Sequence, residues 1–314
     1  MAVAVQARLE VNRLWVERTA GRGPAVLQDI SLAVQPGEML GVVGEAGAGK
    51  SVLGFAILGL LPPGLRVARG SIKLHSEDLL SKSDKALRAI RGRDLALILS
   101  GGRTALNPME TAGTQIKNVI RSHLDVDTAT MDRMAIDILN AVGIPDPARR
   151  AHSYPHELSG GMAQRILIAQ AMVLSPSVLI ADEPTSDLDV TVAAQVLDQM
   201  KGLIEGKEPS TIMLTRDLGI VAKYCDGAAV LRQGVLVEYA SVASFFAHAS
   251  HPYSLALLAS AKQARGDEPV PGFDEVSRQR HSYGRTLKDF AAMRDMLTDP
   301  DYMQINDAHI VRRF

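Results

Sequence analysis

The chain has 314 residues, 46% of them hydrophobic and 4% aromatic, and its 34 basic and 35 acidic side chains leave a formal net charge of −1. That length buries a large core in one domain or two, and balanced charge with so few aromatics gives no footing for a nucleic-acid partner. The single cysteine, Cys225, excludes an intrachain disulfide and any cysteine-held metal or iron–sulfur cluster, and suits a reducing cytoplasmic setting.

Residues 1–6 lack a basic stretch followed by an apolar one, so no signal peptide is expected. Residues 8–45 read as β-rich. Leu9 with Val11, and Leu14 with Val16, give short alternating segments, and residues 26–27 with 30–34 give another. Pro36-Gly37 is a turn, and residues 39–43 are an apolar run suited to a buried parallel strand. A glycine-rich loop follows, then a buried helix over 52–61, stopped by Pro62-Pro63-Gly64. This longest apolar run is half the ~20 residues that span a bilayer, so any membrane role is played by docking on other chains. Residues 83–175 are mostly helical, with helical apolar spacing over 84–90, 131–142 and 161–174. A strand at 178–181, a helix over about 190–204, a strand at 212–214, a helix ending at Tyr224 and strands at 228–231 and 235–237 complete an alternating α/β pattern. Residues 262–283 read as a polar linker, and 284–314 as one helix (287–297) and a final strand near Ile310.

Gly44-Glu45-Ala46-Gly47-Ala48-Gly49-Lys50-Ser51 matches the phosphate-loop pattern G-x-x-x-x-G-K-[ST]. Glycines let backbone N–H groups turn onto a phosphate without Cβ clashes. Lys50 is expected to reach the β- and γ-phosphates of ATP, and the Ser51 hydroxyl to ligate Mg²⁺. The following helix points its N-terminus at the anion. A chance match in a chain of this length is on the order of one per cent.

The strand at 178–181 runs into Asp182 and Glu183. Acids at the carboxyl end of a buried parallel strand face the phosphates in this class of fold. Asp182 is therefore expected to hold Mg²⁺, directly or through water, and Glu183 to act as general base on the attacking water. The plainer reading is that both acids cap the next helix.

Leu158-Ser159-Gly160-Gly161-Met162-Ala163-Gln164-Arg165 resembles the signature motif of ABC-type ATPases. Tyr154-Pro155-His156-Glu157, the block Ala181 to Thr191, Leu106-Asn107-Pro108, Asp217 to Val221 and His251 to Ala259 are similar to the oligopeptide/dipeptide/nickel importer branch. The resemblance covers about residues 8–262. It implies a RecA-like P-loop core with an antiparallel β subdomain and a helical subdomain (about 83–175), together the cassette of residues 1–262, with 263–314 as a C-terminal extension for regulation or the dimer interface. It further implies that two cassettes pair head to tail around two ATP sites. Ser159, Gly160 and Gly161 would then offer donors to the γ-phosphate bound on the opposing subunit, and Asp189 would lie in the loop crossing the interface. The implied partners are a second ABC ATPase subunit, two transmembrane permease subunits and, indirectly, an extracytoplasmic solute-binding protein. The implied place is the cytoplasmic face of the bacterial inner membrane, as a peripheral subunit energising uptake of peptides or a related small solute. His152 and His156 are read as surface or helix-entry groups, and Cys225 as inert.

Three positions depart from the family pattern. The family's glutamine after the strand Leu95-Ala-Leu-Ile-Leu99 is Ser100, and no glutamine occurs between Gln35 and Gln115. Its switch histidine after Ile212-Met-Leu-Thr215 is Arg216, with no histidine between His156 and His248. Its adenine-stacking aromatic is Arg18, whose guanidinium can still stack on a base. Ser100 is too short for the glutamine's reach, and arginine stays protonated at any working pH. The expectation is a degenerate, low-hydrolysis half of a heterodimeric ATPase pair. The alternatives are a fully active subunit of a homodimeric importer, a regulatory nucleotide-binding module, and a soluble ABC ATPase of translation or DNA repair. That last class usually fuses two cassettes or inserts long coiled coils, and the chain shows neither.

Overall fold

The computed structural model describes residues 7–21, 23–204, 209–263 and 299–313. The chain divides into two compact units, Met1–Ser83 with Ser210–Phe314, and Asp84–Pro209. The first unit opens with β1 (Leu9–Arg18), β2 (Leu27–Val34), β3 (Met39–Val43), α1 (Lys50–Leu58), β4 (Leu65–Leu74) and the short β5 (Glu77–Asp78).

Leu9, Val11, Leu14 and Val16 are all fully buried, although the middle pair stands three positions apart instead of two. The step is a bulge. Arg13 sits at φ 48°, its N–H donates to Ser31 Oγ at 3.0 Å, and its guanidinium pairs with Asp29 at 3.1 Å. Register against β2 jumps from Val11↔Leu32 to Leu14↔Ile30. One extra residue thus returns the alternation to the core side, and the two short expected segments are one strand. β4 pairs antiparallel along the other edge of β1.

The second unit holds α2 (Asp84–Ile90), β6 (Leu95–Ile98), α3 (Ala112–His123), α4 (Thr128–Ala141), α5 (Pro147–Arg150), α6 (Gly160–Met172), β7 (Val178–Asp182) and α7 (Val190–Ile204). Thr111 caps α3, Asp127 caps α4 and Ser159 caps α6, each accepting from a backbone N–H at 3.3, 2.8 and 3.2 Å. Such a cap contributes ~1 kcal/mol. α3, α4 and α6 pack on one another, burying Ile116, Ile120, Leu139, Ile166 and Ala169. β6 and β7 pair in parallel, from Leu95↔Val178 to Ile98↔Ala181.

The chain then returns to the first unit with β8 (Ser210–Thr215), α8 (Leu218–Tyr224), β9 (Gly227–Arg232), β10 (Val235–Ser241), α9 (Val242–His248), α10 (Pro252–Gln263), β11 (Tyr302–Asn306) and β12 (His309–Arg312). The strands of this unit run β5-β4-β1-β2-β10-β9-β3-β8, with β12 on β10 and β11 on β12. β3 is parallel to both β8 and β9, and every residue of β3 and β8 is buried. Central parallel strands covered on both faces are largely apolar, as Met39–Val43 and the Ile212–Leu214 centre of β8 are. The final strand expected near Ile310 is β12. The linker expected over 262–283 starts inside α10, which runs to Gln263; the rest of it and the helix expected over 287–297 lie outside the described residues. Among the described residues, no helix is long and apolar enough to cross a membrane.

Candidate functional site

The loop from Gly44 to Gly49 joins β3 to α1 in the first unit. Its shape is forced at both ends. A Cβ on Gly44 would strike the carbonyl of Leu231, and one on Gly49, at φ 108°, would lie 2.7 Å from Leu27 Cδ2. The N–H of Gly234 donates to Ala48 O at 2.9 Å, so the turn between β9 and β10 braces the loop from below. Lys50 is buried, and its Nζ donates to Gly44 O at 2.7 Å and Glu45 O at 3.1 Å. No side chain caps α1, and its first turn carries no acid. Ser51 is exposed. Bare helix N–H groups, one ammonium and one accessible hydroxyl form a donor set that suits a polyphosphate carrying a divalent cation.

Glu45, Ala46 and Gly47 complete the loop, Gly47 at φ 79° with open space where a Cβ would stand. The Glu45 N–H donates to the Tyr253 hydroxyl at 3.0 Å. That contact joins residues 208 positions apart and has no signal in the sequence.

Arg216 follows β8 directly. The parallel register sets Val43 opposite Thr215, so Gly44 and Arg216 leave the sheet side by side. Arg216 is exposed. Asp217 caps α8 by accepting from Gly219 N at 2.7 Å. Arg18 ends β1, exposed, and its Nη1 donates to Pro24 O at 2.9 Å. Trp15 faces away from the Leu14–Val16 side and lies under the Arg69 guanidinium, 5.6 Å from the ring centre.

The remaining candidates belong to the second unit. Asp182 ends the fully buried β7, and Glu183 follows at φ 45°, a left-handed conformation that β-carbon sterics disfavour. The turn after it is closed by Ser186 N donating to Glu183 O at 3.2 Å. Neither acid supplies the side-chain cap on α7; Asp189 does, accepting from Val192 N at 3.0 Å. Ile98 pairs with Ala181, so Leu99-Ser100 and Asp182-Glu183 leave this pair of strands at one edge. Ser100 is exposed, and Gln164 of α6 donates to Leu99 O at 3.3 Å. Ser159 caps α6, followed by Gly160 and Gly161; a Cβ on Gly161 would stand 2.7 Å from Val192 Cγ1. The signature residues therefore pack against the start of α7.

The family model described as "ABC transporter" matches residues 27–186. The chain is 36% identical to the oligopeptide transport ATP-binding protein OppD of Bacillus subtilis (strain 168), over 99% of this chain and 89% of that protein. The chain belongs to the ABC transporter family. It is 41% identical to the dipeptide transport ATP-binding protein DppD of the same organism, over 80% of this chain and 76% of that one. The dimeric ABC transporter cassette MJ0796 superposes at a TM-score of 0.67, at 22% identity, covering 74% of this chain and 98% of that one. The RecA-like cassette fold expected from the motifs is thereby shown. This ABC cassette is an ATPase of that family, its nucleotide is ATP, and its hydrolysis is coupled to transport.

Proposed function

We propose that this ABC cassette is the ATP-binding subunit of a bacterial importer for peptides or a related small solute, and that it is the low-hydrolysis half of a heterodimeric ATPase pair. The names of the oligopeptide and dipeptide relatives support the solute class. Two permease subunits would carry it at the cytoplasmic face of the membrane as a peripheral subunit, with a solute-binding protein outside. Residues 1–262 serve as the cassette, with a helical subdomain at about 83–175, and residues 263–314 as an added regulatory or dimer-interface element.

In this reading Lys50 and the N–H groups of residues 47–51 bind phosphate, and Arg18 stacks on the adenine. The Ser51 hydroxyl and the Asp182 carboxylate would hold Mg²⁺, which when bound offsets phosphate charge. Glu183 orients and deprotonates water. Ser159, Gly160, Gly161 and Asp189 serve a nucleotide held by the second ATPase subunit.

The low-hydrolysis half rests on what stands at two sheet edges. Arg216 comes one residue after the Val43–Thr215 pair, and Ser100 two after the Ile98–Ala181 pair. A guanidinium that stays protonated cannot accept a proton as a neutral imidazole can. A serine hydroxyl ends two bonds short of a glutamine amide. Loss of one preorganised group costs ~10²–10³ in rate, and two such losses in one site need not add. The test is ATP turnover and solute uptake by the intact transporter carrying Glu183→Gln in this subunit. Near-wild-type rates are expected. Collapse of both rates would mean that this chain hydrolyses its own ATP and would overturn the asymmetric reading.

A further inference from the structure

The first peptide of the phosphate loop is gripped from outside the loop. A peptide unit is planar and trans, so its C=O and N–H point in opposite directions. In the Gly44–Glu45 unit the N–H donates to Tyr253 Oη at 3.0 Å, and the carbonyl accepts from Lys50 Nζ at 2.7 Å. Holding the N–H on one side therefore aims the carbonyl at the lysine on the other. The tyrosine is itself held. The Arg232 guanidinium lies over its ring, 5.2 Å from the centre. Arg232 follows Leu231, whose carbonyl abuts Gly44. The start of α10 is fixed by Ser250 N and His251 N donating to the Glu238 carboxylate at 2.9 and 3.3 Å, and by Tyr253 N donating to His251 Nδ1 at 3.1 Å. Glu238 is fully buried.

We propose that Tyr253 is a positioning residue of the phosphate loop: by fixing the Gly44–Glu45 peptide plane it sets where Lys50 rests and how tightly the loop takes a nucleoside triphosphate. This rests on the reading of residues 44–51 as the phosphate site. Tyr253 touches no phosphate in this scheme and acts through the loop backbone alone. Burial pushes its hydroxyl above the ordinary tyrosine range, so it stays protonated through the working pH and its oxygen serves as a neutral acceptor. Without the hydroxyl the 44–45 plane loses its hold on the N–H side, and binding must supply that order.

The test compares full-length wild type, Tyr253→Phe, Arg232→Met and Lys50→Ala for binding of ATP, tripolyphosphate and adenosine, alongside the thermal midpoint. Tyr253→Phe keeps the ring and loses one hydrogen bond, so ATP and tripolyphosphate should bind ~3–10-fold more weakly, with adenosine binding and the midpoint unchanged. Arg232→Met frees the ring while keeping the hydroxyl and should weaken the same two ligands ~2-fold. A merely structural role would lower the midpoint and weaken all three ligands together. Wild-type affinities for tripolyphosphate in both Tyr253→Phe and Arg232→Met, while Lys50→Ala loses it, would overturn the role of Tyr253 and leave the phosphate site standing. Undiminished binding in Lys50→Ala would overturn the phosphate site itself. If Tyr253→Phe fails to fold, the Arg232→Met result decides.

Discussion

Replacing Glu238 by alanine removes the acceptor on which the C-terminal hairpin and the start of α10 both close. Its carboxylate is fully buried and receives Ser250 N–H at 2.9 Å, His251 N–H at 3.3 Å and the His309 Nε2 at 2.6 Å, while His309 Nδ1 meets Ser244 Oγ at 3.0 Å. Burial pushes the carboxyl up, but the bonds from His309 and the Ser250 N–H, among the groups around it, outweigh burial and hold the group below its usual 4.5. Each buried donor left without an acceptor costs ~1–3 kcal/mol, and breaking a buried pair by removing one partner costs ~3–5 kcal/mol after relaxation. We expect ~3–5 kcal/mol for Glu238→Ala, or ~5–10 °C in the thermal midpoint. Glu238→Gln keeps the shape and one acceptor oxygen but turns an amide N–H₂ toward a donor, for ~1.5–3 kcal/mol. The assay is hydrogen exchange on residues 302–312 beside the midpoint, because the loss falls first on the hairpin. A depressed folded-state pKa means that the stabilisation is complete above the unfolded value of 4.5 and is lost as pH falls through the lower folded value. Wild-type hairpin protection should therefore fall on acidification below 4.5, and that dependence should vanish in Glu238→Gln. Unchanged protection of residues 302–312 in Glu238→Ala would refute the anchoring role.

Gly44→Ala drives a methyl into the Leu231 carbonyl, so the loop or the β9–β10 turn must shift. Overpacking against backbone costs ~1–3 kcal/mol, and ATP affinity measured by calorimetry should fall with it. An unshifted midpoint and affinity would refute the close approach. Ser100→Gln combined with Arg216→His restores the family's groups at the two sheet edges and should raise single-subunit turnover by at least ~10-fold, given ~10²–10³ per preorganised group. Unchanged turnover would show that these two positions do not limit hydrolysis.

The phosphate loop, the Asp182-Glu183 strand and the signature helix were legible because each is a short local string whose chemistry fixes its residue types. β3, β7 and the Ile212–Leu214 centre of β8 were legible as short apolar runs. β4 was not, because its alternation changes phase across Ala68-Arg69-Gly70-Ser71, from Leu65 and Val67 to Ile72 and Leu74, in a strand whose faces are only partly covered. The β1 bulge hid a single strand behind two half-patterns, since a three-residue step between buried positions imitates a boundary. Helices α9 and α10 escaped as elements, the latter because its apolar residues are spread around it instead of forming one stripe. Tyr253 stood inside a recognised string with no chemistry attached. Its partner lies 208 residues away, and only the folded sheet supplies it.

The interleaving of the first unit constrains the order in which the chain can fold during synthesis. β3 finds its pairing partners only in β8 and β9, both on the far side of Asp84–Pro209. At ~5–20 residues per second, β8 leaves the ribosome roughly 8–35 s after β3. For that interval the apolar strand feeding the phosphate loop has no ladder to join, and by its end the 84–209 unit is complete and has its own paired strands. Nascent chains stalled before residue 210 should hence show a protected helical unit beside a protease-sensitive N-terminal segment, and a chaperone that shields exposed strands would find its substrate there.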